Sequence, residues 1–264
     1  MNSPGASAQI HPSAIVHPGA RLGAGVKLGP FAVIGDGVEL GAGCDIRSHA
    51  VLEGPTVLGR DNLVYPFASI GSAPQDLKYR GEPTTLHIGD GNQFREFVTI
   101  NRGTQGGGGD TTIGHENLFM AYVHVAHDCH VGNRTVFANN ATVAGHVTIG
   151  DFAILSGLAA VGQFVRVGEG AFLGAGAMVS LDVAPFCMAQ GDRAKLIGLN
   201  SVGLERRGVP AERIEALERA YRLVFREGHG LDEALLRLEA LELQTPEITQ
   251  LVQFLRKCER GLTR

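Results

Sequence analysis

The sequence predicts a β-solenoid of hexapeptide repeats, closed at its C-terminal end by an α-helical domain. Two observations carry that expectation. Apolar residues recur at every sixth position, and past Val179 the period becomes a helical one. Ile10, Val16, Leu22, Leu28, Ile34, Leu40, Ile46, Leu52, Leu58, Val64 and Ile70 keep the six-residue beat without a miss. It returns at Ile88, Phe94 and Ile100, then restarts one residue out of phase at Ile113 and runs on to Val179. A period of six fits neither an amphipathic helix nor an alternating strand; it fits short strands joined by corners in a stacked array. Three hexads close one coil of a parallel β-helix, so residues eighteen apart in the sequence stand in one column. Adjacent members of a column are then separated by the strand spacing, about 4.8 Å.

Composition agrees with this architecture. The 264 residues include 37 Gly and no Trp, with aromatics at 6%. Gly, Asn and Asp tolerate the left-handed backbone that tight corners demand. Small inward residues such as Ala14, Ala20 and Ala32 suit a narrow triangular core, from which large aromatics are expected to be excluded.

The repeat accounts for residues 1–191, with loops near 72–83 (SAPQDLKYRGEP) and 103–110 (GTQGGGGD). Insertions in a solenoid form loops on one face, often the functional one. The glycine-rich second loop reads as flexible. Residues 192–264 read as helical. A short helix is expected over 197–207, and a second opens at Pro210 with Ile214, Leu217, Tyr221, Val224 and Phe225 on its apolar face. Gly228 and Gly230 end it; a third spans 231–243, and a fourth is capped by Thr245 ahead of Pro246.

The net charge of −4 gives no nucleic-acid footprint. Cys44, Cys129, Cys187 and Cys258 have no paired spacing, which suits free thiols in a reducing compartment and a cytoplasmic location. No apolar run is long enough for a membrane span, and the N-terminus has no basic stretch followed by an apolar one.

Four histidines mark the candidate chemistry: His124, His127, His130 and His146. Column arithmetic places His127, Gly145 and Gln163 one above another, with Asp128, His146 and Phe164 beside them. An imidazole next to a glycine N–H suits acyl transfer, the ring as general base and the amide as donor to the developing oxyanion. Asp128 would orient the ring and favour its cationic form. Zinc is the rival chemistry for the run His124, His127 and His130. No acidic partner pattern accompanies the run, and residues three apart on an extended strand alternate faces. Neither a metal nor another cofactor is expected.

Several segments together resemble the bacterial UDP-N-acetylglucosamine O-acyltransferases. They are QDLKYRGEPT at 75–84, VTINRGT at 98–104, AHDCHVGN at 126–133, ANNATVAGHV at 138–147, AQGDRAK at 189–195 and GLNSVGLERRG at 198–208. The resemblance covers essentially the whole chain. It implies a homotrimer of left-handed β-helices with active sites in the clefts between subunits. It also implies transfer of a 3-hydroxyacyl group from acyl carrier protein to the glucosamine 3-hydroxyl of UDP-N-acetylglucosamine, the first step of lipid A synthesis. By the same resemblance His127 is the general base, Asp128 its orienting partner and Gly145 the oxyanion donor. Asp76 and Lys78 match sugar-binding positions, His124, His146 and Gln163 positions near sugar and thioester, and Asn200, Arg206 and Arg207 positions around the uridine and diphosphate.

The chain departs from the commonest pattern of that family at three places. Asn101 and Gly162 stand where many members carry histidine, and Ala175 stands where glycine often ends the acyl groove. These leave acyl length open, as well as O- against N-acylation of a diamino sugar. A different hexapeptide N-acyltransferase, a zinc hydratase of the carbonic anhydrase type and a non-enzymatic scaffold, which would need no aligned His, Gly and Gln column, are the remaining alternatives.

Overall fold

Most hexads fold as a two-residue strand followed by a four-residue corner, as in Lys27–Leu28 and Val33–Ile34. The computed structural model describes residues 7–241 and 245–264. Within them the strands form three flat sheets that wrap one core. Sheet A has eleven strands, sheet B nine and sheet C eight, and the chain visits A, B and C in turn on each coil. Pairing is parallel with an eighteen-residue register, as in Gln9↔Lys27 and Ile15↔Val33.

Two register changes show where the insertions go. Leu63 pairs with Gln93, and Thr99 with His124, so the extra residues leave the ladder as loops. Both depart after a strand of sheet B (Ser69–Ser72 and Thr99–Asn101) and rejoin at sheet C (Thr85–Ile88 and Asp110–Ile113). Both therefore emerge at one edge of the prism, the corner between B and C. The second loop is more ordered than its glycine content suggests. It forms a 3₁₀ turn at Gln105–Gly107, capped by Thr104, whose hydroxyl accepts from Gly107 N.

From Leu28 onward the marker residues are buried in continuous columns, Ile34, Ile46, Leu52, Ile70, Ile100 and Val143 being fully inaccessible, whereas Ile10 in the first coil is exposed. Aromatics do enter this core. Phe94, Phe119 and Phe137 stack at centroid distances of 5.0 and 4.9 Å, because the coil spacing equals a comfortable ring-stacking distance. Three buried asparagines form an internal ladder. Asn62 Oδ1 accepts from the backbone N and Nδ2 of Asn92, and Asn92 Oδ1 accepts the same pair from Asn117.

Corner occupancy differs from the expectation of Gly, Asn and Asp. Phe31, His49, Phe67, Phe97 and Tyr122 all have φ between 57° and 65° at the corner between A and B. A left-handed backbone costs an L-residue on the order of 1–2 kcal/mol. Stacking along the column offsets it, with successive rings 4.9–5.2 Å apart. The result is an exposed aromatic ridge on that edge.

The helical end differs from the sequence reading in its first element. Lys195–Leu199 is a strand, antiparallel to Cys187–Gln190, so the expected helix over 197–207 is reduced to α1 (Ser201–Arg206). The hairpin turns at Gly191 (φ 95°) and satisfies the last strand of sheet A, an edge that helical residues could not pair. Three helices follow: α2 (Ala211–Phe225), α3 (Leu231–Glu239) and α4 (Pro246–Arg256). Pro210 is the N-cap of α2 and precedes its first helical residue; the Thr245 hydroxyl caps α4 by accepting from Ile248 N. Ile214, Leu217, Tyr221, Val224 and Phe225 are buried on α2 as expected. The expected end of the third helix, Leu243, lies outside the described residues. The C-terminal segment returns to the solenoid, where Asp182 N donates to Gly261 O and Thr263 N to Asp182 O.

Candidate functional site

The edge that carries both insertions also carries His127 and His146, with His124 and His130 on the strands that flank it. His127 and Asp128 occupy the B–C corner one coil above the glycine-rich loop, and Gly145 with His146 occupy it one coil higher. Asp128 and His146 adopt left-handed corners (φ 59° and 63°) at this edge. His127 Nδ1 lies 2.7 Å from Asp128 Oδ2, with the residues 7% and 2% exposed. The His146 ring stands edge-on to His127 at 5.2 Å and stacks on Phe164 at 4.4 Å.

Gly145 sits where column arithmetic puts it. A Cβ built there would lie 2.6 Å from His127 Cε1 and 2.9 Å from Nε2, so only glycine lets the ring pack against this backbone. The Gly145 N–H has no hydrogen-bond acceptor among the described residues. Gln163 is exposed one coil further on.

Asp128 is held more firmly than its sequence neighbourhood suggests. Thr104 N donates to Oδ1 and Thr104 Oγ1 to Oδ2, each at 2.7 Å, while Asp128 N donates to Thr111 Oγ1 at 2.8 Å. The sequence reading missed Thr104 and Thr111. The available signal was the out-of-phase restart at Ile113, which places the loop start one coil below Asp128.

Burial favours the neutral form of the neighbouring imidazoles. Burial pulls His124 below its ordinary value, and the nearby His127 adds to this. Burial also lowers His146, against the opposing pull of Asp128. His124 Nδ1 hydrogen-bonds Thr99 Oγ1 at 2.7 Å. Cys129, next to Asp128, is no nucleophile, since burial pushes its thiol up to about 12.

The run His124, His127 and His130 does not converge, because His124 lies on sheet B and His130 on sheet C. His127, Asp128 and His146 do converge, with candidate ligand atoms within 4.8 Å of one another. A cation there would compete for Asp128 Oδ2 with the Thr104 hydroxyl and the His127 ring.

The two loops enclose a pocket of about 300 Å³. Asp76, Lys78, Tyr79 and Glu82 line one side and Thr104, Gln105 and Gly106 the other. Lys78 is exposed, and its backbone N donates to Asp76 Oδ1. Asn101, on the last residue of its strand, donates to Ala73 O at 2.9 Å and so pins the first loop.

The remaining expected residues lie at other corners. Asn200, Arg206 and Arg207 line a pocket of about 400 Å³ on the C–A edge, with Phe152, Phe172 and Met188. Arg207 lies 4.0 Å over the Phe152 ring and pairs with Glu169. The Asn200 amide is engaged internally: Oδ1 caps α1 through Gly203 N, and Nδ2 donates to Gly170 O. Ala175 is exposed at the A–B corner. One chain therefore distributes the expected site over all three edges of the prism.

Comparison with known proteins agrees with this geometry. Residues 182–263 match the family described as UDP-N-acetylglucosamine O-acyltransferase, domain 2, and residues 19–54 and 110–145 match bacterial transferase hexapeptide repeats. The acyl-[acyl-carrier-protein]–UDP-N-acetylglucosamine O-acyltransferase of Myxococcus xanthus is 53% identical over 257 residues, covering 97% of this chain and all of that protein. The solved structure of UDP-N-acetylglucosamine O-acyltransferase from Moraxella catarrhalis superposes with a TM-score of 0.95 at 45% identity, covering 97% of this chain and 99% of its own. The Acinetobacter baumannii structure gives the same TM-score and coverage at 39% identity. The hexapeptide-repeat β-helix of parallel sheets and the helical C-terminal end agree with these matches. On near full-length identity and on fold, the chain belongs to the UDP-N-acetylglucosamine O-acyltransferase family.

Proposed function

We propose that the protein moves a 3-hydroxyacyl group from acyl carrier protein to the 3-hydroxyl of UDP-N-acetylglucosamine, the first step of lipid A biosynthesis. The observation that carries the reading is the His127–Asp128 pair set against the unpartnered Gly145 N–H at the edge where both loops emerge. Asp128 accepts from His127 Nδ1, which leaves Nε2 free to take the sugar hydroxyl proton. The oxygen attacks the thioester carbonyl as the C–O bond forms. Gly145 N–H donates to the developing oxyanion. Collapse breaks the C–S bond, and the imidazolium returns the proton to the departing carrier thiolate. A deprotonated cysteine is not needed, in keeping with the raised Cys129.

The sugar sits against Asp76 and Lys78, with His124, His146 and Gln163 around the reacting atoms. Arg206 and Arg207 take the diphosphate through charge-assisted hydrogen bonds, with Asn200 holding the start of their helix. These groups lie on different edges, so a complete site takes the B–C edge of one subunit and the C–A edge of another, in a homotrimer. The exposed aromatic ridge Phe31, Phe67, Phe97 and Tyr122 is apolar surface that such an assembly would cover. Ala175 marks the acyl end of the groove. The enzyme works in the cytoplasm; no helix among the described residues is long and apolar enough to cross a membrane.

The test is mass spectrometry of products formed from a panel of acyl carrier proteins with UDP-N-acetylglucosamine or its 3-amino analogue. Ester product on UDP-N-acetylglucosamine is expected. Amide product on the analogue alone would move the reading to N-acylation. Metal analysis of the active protein separates it from a zinc hydratase, and light scattering reports the trimer.

A further inference from the structure

We infer that Thr104, at the start of the glycine-rich loop, is a positioning residue for the His127–Asp128 pair, so that this loop is part of the catalytic apparatus. The inference rests on the general-base reading above. Thr104 reaches Asp128 twice, through its backbone N–H to Oδ1 and its hydroxyl to Oδ2, both at 2.7 Å. The Asp128 side chain is fully inaccessible, so these contacts, with His127, stand in for water.

The direction of each hydrogen bond follows from the groups present. Gly107 N donates to Thr104 Oγ1 at 3.2 Å, and a hydroxyl that accepts there keeps its own proton for the carboxylate. An ionised carboxylate only accepts, so the His127 atom 2.7 Å from Oδ2 is an N–H donor. The network thus assigns the proton to Nδ1 and the lone pair to Nε2. Thr111 completes the cradle by accepting from Asp128 N.

Gly107 has a steric reason to be glycine. A Cβ at that position would overlap the Asp128 carboxyl group. Close approach of the turn to the carboxylate, with Thr104 as its cap, is what this stretch encodes. The same turn, through Gln105 and Gly106, forms one wall of the pocket opposite Asp76 and Lys78. A ligand in that pocket touches the segment that orients the base.

The experiment is steady-state kinetics on Thr104→Val and Thr104→Ser, each also placed in an Asp128→Asn background. Valine keeps the shape and the backbone donor but removes the hydroxyl. We expect Thr104→Val to lower kcat about ten- to hundredfold, the range observed when a hydrogen-bond partner that orients a metal-ligating histidine is lost, with both KM values within about threefold. Thr104→Ser should restore kcat to within about threefold of wild type, because the donor returns. In the Asp128→Asn background Thr104→Val should cost less than about twofold, since a residue acting through Asp128 has nothing left to orient. A Thr104→Val enzyme within threefold of wild type, or an equal loss in both backgrounds, overturns the inference. Wild-type turnover of UDP-N-acetylglucosamine in the same assay reports on the proposed function separately.

Discussion

Replacing Gly145 with alanine isolates one geometric demand of the site. Gly145 is not among the positive-φ glycines, so alanine meets no backbone penalty there. The added methyl would lie 2.6 Å from His127 Cε1 and 2.9 Å from Nε2, whereas ordinary contact begins near 3.4 Å. The ring must therefore move by roughly 0.8 Å, and Asp128, held by Thr104, cannot follow it. Misplacement of a reacting group by about 1 Å costs on the order of 100-fold, equivalent to about 2.7 kcal/mol in the barrier. The N–H of residue 145 survives the change, so the loss reads the position of the base and not the oxyanion donor. We expect kcat to fall roughly 100-fold with KM for UDP-N-acetylglucosamine within about threefold. The assay is initial-rate acyl transfer, with Gly230→Ala as control, since a methyl at Gly230 meets nothing within 4 Å. A Gly145→Ala enzyme with kcat within threefold of wild type would refute the placement of His127 against this backbone.

Other outcomes follow from the same geometry. His127→Ala should lower turnover by at least about 100-fold, and Asp128→Asn by less, in the same assay. Ala175→Gly should shift competition between carrier proteins toward longer acyl chains. Each added methylene is worth about 0.8 kcal/mol, roughly fourfold; an unchanged profile would place the groove end elsewhere. Arg219 and Arg222 are exposed on α2, whereas Arg213 is paired with Glu247 and Arg226 donates to Leu196 O and Tyr221 Oη. We expect the acidic acyl carrier protein to dock on this exposed basic face of α2, so reversing the charge at Arg219 and Arg222 should raise its KM, most at low salt; an unchanged KM would argue against docking there. Burial lowers the pKa of His124 and His146 in the folded state, so below about pH 6.5 the unfolded chain binds protons that the folded chain resists. Stability should therefore fall as pH drops from 6.5 through the depressed folded values, and His146→Gln should flatten part of that slope in denaturant titrations.

The period of six determined by itself the solenoid, its columns, and the approach of His127 to Gly145. Stacked coils repeat at a fixed spacing, so separation in sequence converts directly into separation in space. The helical tail was legible for the same kind of reason, since Ile214, Leu217 and Tyr221 follow a helical period and are buried. The strand at Lys195–Leu199 was not, because its residues are fixed by the open edge of sheet A and by no local period. Nor was the corner chemistry: Phe67 and Phe97 adopt a left-handed backbone because each stacks on its neighbour in the next coil. The glycine-rich loop shows the limit most clearly. In the sequence GTQGGGGD is a break in a repeat, whereas in the fold Thr104 and Gly107 close on a carboxylate one coil above. That contact depends on how many residues the insertion adds to the coil and where the chain rejoins sheet C, and only tertiary packing fixes both. Likewise, sequence could name Asn200, Arg207 and Ala175, but only the folded prism assigned them to edges that His127 does not share.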